Sequence, residues 1–350
     1  KKITSRVTKT TIYFLLSFVI IGIGIITYKD YENSLTIQIN NQITAVAELK
    51  VGDIESWRHE KLGDAKLTFN NNILTDLVRD YFKNPTDSDT KDYLLNWLEK
   101  YNEAYQYNKI FLLDEKLNIK LTSPLQDEKL STQILTNSQK ALDSKNVIFQ
   151  DLYINDFNQK IYLGLLVPIL DYKNNQLPLG LLYMRINPET YLYPYINTWP
   201  VPSDTAESLL IRQDGDSAIF LNELKFQKDT ALKLRIPLTN TIIPAVQAVT
   251  GVTGLSDGKD YIGMDVISYL LPVKDSPWFV VTKISTDEAY KPLQERFYIT
   301  VGMVVLMIGV MATTLGMFWI RRDVGYYKEK IIIDEELRKT KEFLESLLNY

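Results

Sequence analysis

Two uncharged apolar runs bracket almost the whole chain, one between Lys9 and Lys29 and the other between Arg296 and Arg321. The first, Thr10 to Tyr28, is 19 residues long. At about 1.5 Å rise per residue it covers roughly the 30 Å hydrocarbon layer of a bilayer. The second, Phe297 to Ile320, is longer. Lys1, Lys2, Arg6 and Lys9 precede the first run without an acid among them, and Arg321, Arg322, Lys328 and Lys330 follow the second. This asymmetry puts both ends on the cytoplasmic side and residues 29–296 outside. A cleaved signal peptide would need small residues just past the apolar core. Ala45 and Ala47 have that form but lie too far downstream.

The outer stretch has the composition of an ordered domain, since the chain is 45% hydrophobic and 23% charged. A net charge of −4, with no basic stripe carrying interleaved aromatics, excludes nucleic acid as the expected partner. There is no cysteine, which removes disulfides, thiolate metal sites and thiol nucleophiles. His59 is the only histidine, and that removes most metal sites and triad-type arrangements. Gly251 and Gly254 lack the strand-then-helix context of a nucleotide loop, and no GxSxG, HExxH or Walker pattern occurs. Neither a catalytic residue nor a cofactor is expected in this stretch.

From Tyr31 apolar residues recur at helical spacing through Leu35, Ile39, Ile43, Val46, Ile54, Trp57, Leu62, Ala65 and Phe69. They predict one long helix rising out of the first span, followed by helices near 73–81 and 90–105. Beyond Tyr107 the period becomes that of strands: 109–113, 118–122, 147–153, 160–167 and 179–186, with a helix near 128–143. After the proline-flanked connector at Trp199 to Pro202 a second set follows: strands at 209–212, 218–222, 232–236, 261–269 and 278–284, and a short helix near 245–249. The two sets read as copies of one unit. Val167-Pro168-Ile169 is matched by Leu271-Pro272-Val273, and in each set a proline, Pro194 or Pro292, falls nine residues after a basic residue, Arg185 or Lys283. A repeat of about ninety residues implies two α+β modules with mostly antiparallel sheets.

These features together resemble a family. The long helix with Trp57, Arg58 and Asp64-Ala65, then Asp214-Gly215-Asp216 with Phe220 to Leu224, Asp260-Tyr261-Ile262-Gly263 and Ser276-Pro277-Trp278-Phe279 with Lys283, resemble the double Cache sensor regions of bacterial and archaeal receptors. In particular they look like those of transmembrane histidine kinases and diguanylate cyclases that carry cytoplasmic PAS domains. The resemblance spans residues from about 10 to 350. It implies tandem PAS-like sheet modules, a small molecule bound in the membrane-distal one, and a signal passed down the long helix and the second span.

Arg185, on the last strand of the distal module, stands where amino-acid-binding relatives of that family carry an aspartate for the ligand ammonium. A planar guanidinium fork suits a carboxylate or phosphate, so the expected ligand is anionic. The competing reading is an internal salt bridge with an acid such as Asp151, and Lys283 at the matching place in the second module favours it. Tyr153 falls at a pocket tyrosine of the amino-acid binders, and Asp151, Tyr162 and Tyr183 are placed near it by strand alternation. Ordinary core packing is the alternative for these side chains. The RxWY-type stretch of those binders is missing between Leu121 and Asp143, which argues against a free amino acid. Asp214, Asp216, Asp257 and Asp260 flank glycines at hairpins and read as turn residues before calcium ligands.

After Arg322 a charged helix carries Ile333, Leu337, Leu344 and Leu348 along one side, the pattern of a short parallel coiled coil in a dimer. Leu337 to Leu348 looks like a helix entering a PAS domain, and without an initiating methionine the chain reads as a piece ending before its effector. The expected organisation is a cytoplasmic tail (1–9), a first span (10–28) and an outer double Cache region (29–296). That region divides into a helical segment (29–106), a distal module (107–198) and a proximal module (203–292). A second span (297–320) and a signalling helix (321–350) complete it. The expected function is the sensing and signalling part of a homodimeric plasma-membrane receptor, foremost a histidine kinase. A diguanylate cyclase, a chemoreceptor, or a membrane-anchored solute-binding module without output are the alternatives.

Overall fold

The computed structural model of the chain is α+β. It describes residues 2–126 and 128–348, with side chains for 11–126 and 128–345. The side chains of Lys1, Lys2, Arg6, Lys9 and Leu348 therefore lie outside the described ones. The chain divides into two units, one of residues up to Ile39 with those from Ala289 onward, the other Asn40–Glu288.

The larger unit begins at Asn40 within α1, a helix running Lys2–Phe69. Helix α2 (Asn72–Lys83) starts where the Asn71 side chain accepts the free N–H groups of Ile73 and Leu74, both at 3.1 Å. Helix α3 (Ser88–Tyr105) follows. The first sheet is built from β1 (Lys109–Asp114), β2 (Ile119–Ser123), β3 (Ile148–Ile154), β4 (Ile161–Asp171) and β5 (Leu177–Ile186), with α4 (Thr132–Ser144) between β2 and β3. Its strand order is β2-β1-β5-β4-β3, antiparallel at each pairing.

After α5 (Leu192–Asn197) the second sheet uses β6 (Glu207–Asp214), β7 (Ser217–Phe220), β8 (Arg235–Pro237), β9 (Gly254–Lys259), β10 (Asp265–Pro272) and β11 (Trp278–Ser285), with α6 (Pro244–Val249) before β9. Its order, β8-β7-β6-β11-β10-β9, repeats that of the first sheet with one extra edge strand. In both modules the last strand lies beside the first, the tandem arrangement that the resemblance to a double Cache region implies.

Strand alternation sorts the core into layers. Ile110, Leu112, Leu165, Leu182 and Met184 face the helices and pack with Ile54, Trp57, Leu74 and Leu98 in one cluster that continues into Leu210, Trp278 and Val280 of the second module. On the other face of the first sheet Phe111, Leu113, Tyr153, Leu166 and Tyr183 pack under Ile134, Ala141 and Leu142. A third cluster fills the second module beneath α6. The second sheet departs from the sequence expectations. Residues 254–259, where no strand is expected, form β9, the strand read from Tyr261 begins at Asp265, and the one read at 232–236 is β8 at Arg235–Pro237. The run Gly-Leu-Ser-Asp-Gly-Lys has no β-branched residue, so its strand character comes from backbone pairing to β10 and not from propensity.

The other unit consists of the first part of α1 and helix α7, which runs Thr286–Leu348 with Pro292 near its start. Both helices are long and apolar enough to cross a membrane, and their apolar windows are 6% and 0% buried. They run antiparallel, with Tyr28 edge-on to Phe297 at 5.8 Å and the Arg296 guanidinium over Tyr31 at 5.2 Å. A Cβ on Gly24 would come within 2.8 Å of Val304, so the missing side chain permits the close approach.

Candidate functional site

Arg185 is one residue from the end of β5 and is buried, as is Lys109, its register partner on β1. Two cations opposite one another on adjacent strands repel unless an anion lies between them. Glu128, in the connection between β2 and α4, supplies it. Both arms of the Arg185 fork donate to the Glu128 carboxylate, one of them to Oε2 at 3.1 Å. Lys109 Nζ reaches the same oxygen at 3.4 Å and donates to the Gln126 carbonyl at 2.7 Å. Arg185 Nε donates to Asn108 Oδ1 at 2.8 Å, and the guanidinium lies over the Tyr162 ring at 4.2 Å.

Burial alone would weaken the charge on Arg185, but its bonds to Glu128 outweigh it and the pKa rises above the ordinary value. For Glu128 burial likewise works against ionisation. The bonds and charge of Arg185, with the charge of Lys109, prevail and hold the carboxyl below its usual range.

Tyr153, Tyr162 and Tyr183 do come together beneath this pair. The Tyr153 and Tyr183 hydroxyls are 2.7 Å apart, the Tyr153 and Tyr162 rings 6.4 Å, and Tyr183 stacks on Phe111 at 5.5 Å. Burial pushes the Tyr153 hydroxyl up to about 12 and raises that of Tyr183 well above its ordinary value, so both stay protonated. Room for the Tyr183 ring comes from Gly164 on β4: a Cβ there would lie 2.8 Å from Tyr183 Cε2 and 2.4 Å from the Met184 carbonyl oxygen.

Asp151 is not among them. The pairing of β3 with β4 shifts register between Gln150 and Tyr153, and this bulge breaks the alternation that would have put residues 151 and 153 on one face. The Asp151 carboxylate instead accepts from Arg212 and from the Trp278 indole N–H, 2.8 Å away, both in the second module. The acid paired with Arg185 is thus Glu128 and not Asp151.

Sequence reasoning also passed over Asn108, Lys109 and Glu128. Lys109 carried a signal, a lysine opening an otherwise apolar buried strand. Glu128 carried none, since it lies in a polar connection among other charges. Outside it is an open groove of about 810 Å³ lined by Lys91, Ile119, Lys120, Leu121, Thr122, Leu125, Gln126, Glu128 and Lys129.

The matching place in the second module is closed. Lys283 is buried, lies opposite Glu207 on β6 and bridges Glu207 at 3.1 Å and Asp260 at 2.6 Å. The Tyr261 hydroxyl donates to Glu207 at 2.9 Å, and Asp260 also accepts the N–H groups of Ile262 and Met264. The register that gives Arg185 a second cation gives Lys283 a carboxylate.

No protein-family model and no curated protein matches this chain. Several solved ligand-binding domains of chemoreceptors are similar to it. That of Pseudomonas fluorescens CtaA in complex with L-serine is 15% identical, covering 72% of this chain and 99% of its own, with a TM-score of 0.48. That of Pseudomonas aeruginosa PctB with L-Arg is also 15% identical, covering 72% and 97%, with a TM-score of 0.49. That of Pseudomonas aeruginosa PctC with GABA is 16% identical, covering 70% and 99%, with a TM-score of 0.48.

Proposed function

We propose that this chain is the sensing and membrane-crossing part of a two-span plasma-membrane receptor, with residues 29–296 outside the bilayer and a small anionic molecule bound in the first module. Arg185 is the charged contact, and Tyr153, Tyr162 and Tyr183 form the aromatic surround. The observation that carries the reading is that Arg185 is buried against aromatic faces with its fork already spanning a carboxylate.

Transmission follows from connectivity. The helix that carries the first apolar span runs on without a break to Phe69, and β11 leads directly into α7 with the second. A ligand shifts such an element only through a difference in affinity between two states, of the order of 1–3 kcal/mol. Ile333, Leu337 and Leu344 are exposed in the single chain, and we assign them to the seam of a homodimer. Of the outputs, the chemoreceptor goes better with the comparisons than the histidine kinase does. A likeness of fold does not choose an effector, and the domain joined to the signalling helix decides it.

The test is a thermal-shift panel on the detergent-solubilised chain with organic acids, amino acids and amines at matched ionic strength. Stabilisation by carboxylates that disappears in Arg185→Gln is the expected result. Stabilisation by amines alone would contradict the reading.

A further inference from the structure

The two modules place a buried cation at the same point of the same sheet order, yet they neutralise it differently. In the second module the carboxylates belong to the framework: Glu207 is a strand residue fixed by register opposite Lys283, and Asp260 is tied into its turn by two backbone N–H groups. In the first module the register partner is another cation, and Glu128 comes from a connection that is neither helix nor strand. Its contact with Arg185 is the two-armed, end-on hold, Nη1 and Nη2 to the two oxygens, that a guanidinium makes with any free carboxylate.

We propose that Glu128 is the resident occupant of the anion subsite around Arg185, and that the ligand, a small aliphatic carboxylate, binds by taking its place. This inference rests on the anion-binding reading above and deepens it. Exchange of one carboxylate for another leaves Arg185 and Lys109 with an anion, so no buried charge is stranded.

The displaced side chain has a destination. Glu128 lines the open groove in which Lys91, Lys120 and Lys129 also lie. The interior limits the ligand's size, because Phe111, Tyr153 and Tyr183 are packed under α4. The space gained is about that of the Glu128 carboxylate and its stem. Affinity in the native chain is then set by a competition. The site is open for only the fraction of time that Glu128 is away, and the apparent dissociation constant rises in inverse proportion to that fraction.

The test measures propionate binding to the full chain in detergent by thermal shift, with sodium chloride as the ionic-strength control. Wild type, Glu128→Ala, Glu128→Gln and the double variant Arg185→Gln/Glu128→Ala are compared. The expected result is a lowered melting temperature in Glu128→Ala that propionate restores and chloride does not. Its half-saturation should fall at least about tenfold below that of wild type, with no response in the double variant. Glu128→Gln keeps the side-chain shape without the charge, and gives the same ordering should the alanine variant fold poorly. Equal half-saturation in wild type and both Glu128 variants, with binding still dependent on Arg185, would overturn the exchange and leave the anion-binding reading standing. No Arg185-dependent response to propionate in any variant would overturn both.

Discussion

The Trp278 indole donates a hydrogen bond to the Asp151 carboxylate at 2.8 Å, so a strand of the second sheet is fastened to a strand of the first. Arg212 adds a charged bond to the same carboxylate. Arg58 of α1 lies over the Phe149 ring at 4.1 Å and the Trp278 ring at 4.6 Å, and donates to the Asp275 carbonyl at 3.1 Å. Long helix, first module and second module therefore meet around one acid. The bulge in β3 makes this possible, because it turns Asp151 toward the second module while Tyr153, two residues on, stays beside Tyr183.

Replacing Asp151 by alanine leaves the buried Trp278 N–H and the Arg212 guanidinium without their acceptor. The expected loss is about 1–3 kcal/mol, with Asp151→Asn losing less because one acceptor oxygen remains. Urea unfolding of the solubilised chain, followed by tryptophan fluorescence, measures it. A midpoint for the alanine variant equal to that of wild type would mean that the contact contributes nothing to joining the modules.

A glycine pair separates close approach from open space. Gly164→Ala puts a Cβ 2.4 Å from the Met184 carbonyl and 3.2 Å from Arg185 Cα, so the strand has to move, at a cost of about 1–3 kcal/mol. Gly52 lies within α1 with nothing inside 4 Å of the added Cβ. There alanine gains about 0.5–1 kcal/mol from helix propensity alone. The two substitutions should shift the unfolding midpoint in opposite directions, and a shift of the same sign in both would refute the packing assigned to Gly164.

The acid limb of stability follows from Glu128. Its folded-state pKa is below the ordinary 4.5, so its stabilising effect is complete above that value and is lost as pH falls through the lower, folded one. The stability gap between wild type and Glu128→Gln should be constant above about pH 5 and close in more acid solution. Melting temperatures measured for both across that range decide the point; a gap that persists undiminished into strong acid removes Glu128 from the account.

Much of the architecture is legible in the sequence because it is written in periodicity. β-rich apolar runs bounded by turn residues located β1 to β5, helical spacing located α1, and the repeat from Val167-Pro168 to Leu271-Pro272 anticipated two copies of one sheet module. Where backbone pairing acts without side-chain preference, the signal fades, as at β9. The site was less legible for two reasons. The Asp151 position depends on a bulge that alternation cannot foresee, and Glu128 reaches Arg185 from a connection 57 residues away whose composition resembles that of any surface loop. The three tyrosines come together because Tyr153 lies beyond the bulge, paired with Tyr162, and β4 and β5 keep their register past Tyr183.

A receptor role requires that the stretch between the two spans face away from the cytoplasm. Because the chain has no cysteine, a single engineered thiol reports sidedness without background. Asn174→Cys in the turn between β4 and β5, and Lys339→Cys in the helix beyond the second span, are treated in intact cells with a membrane-impermeant maleimide. Labelling of position 174 before lysis and of position 339 only after it is the expected result. Protection of position 174 until the cells are broken would contradict the receptor topology on which every functional assignment above depends.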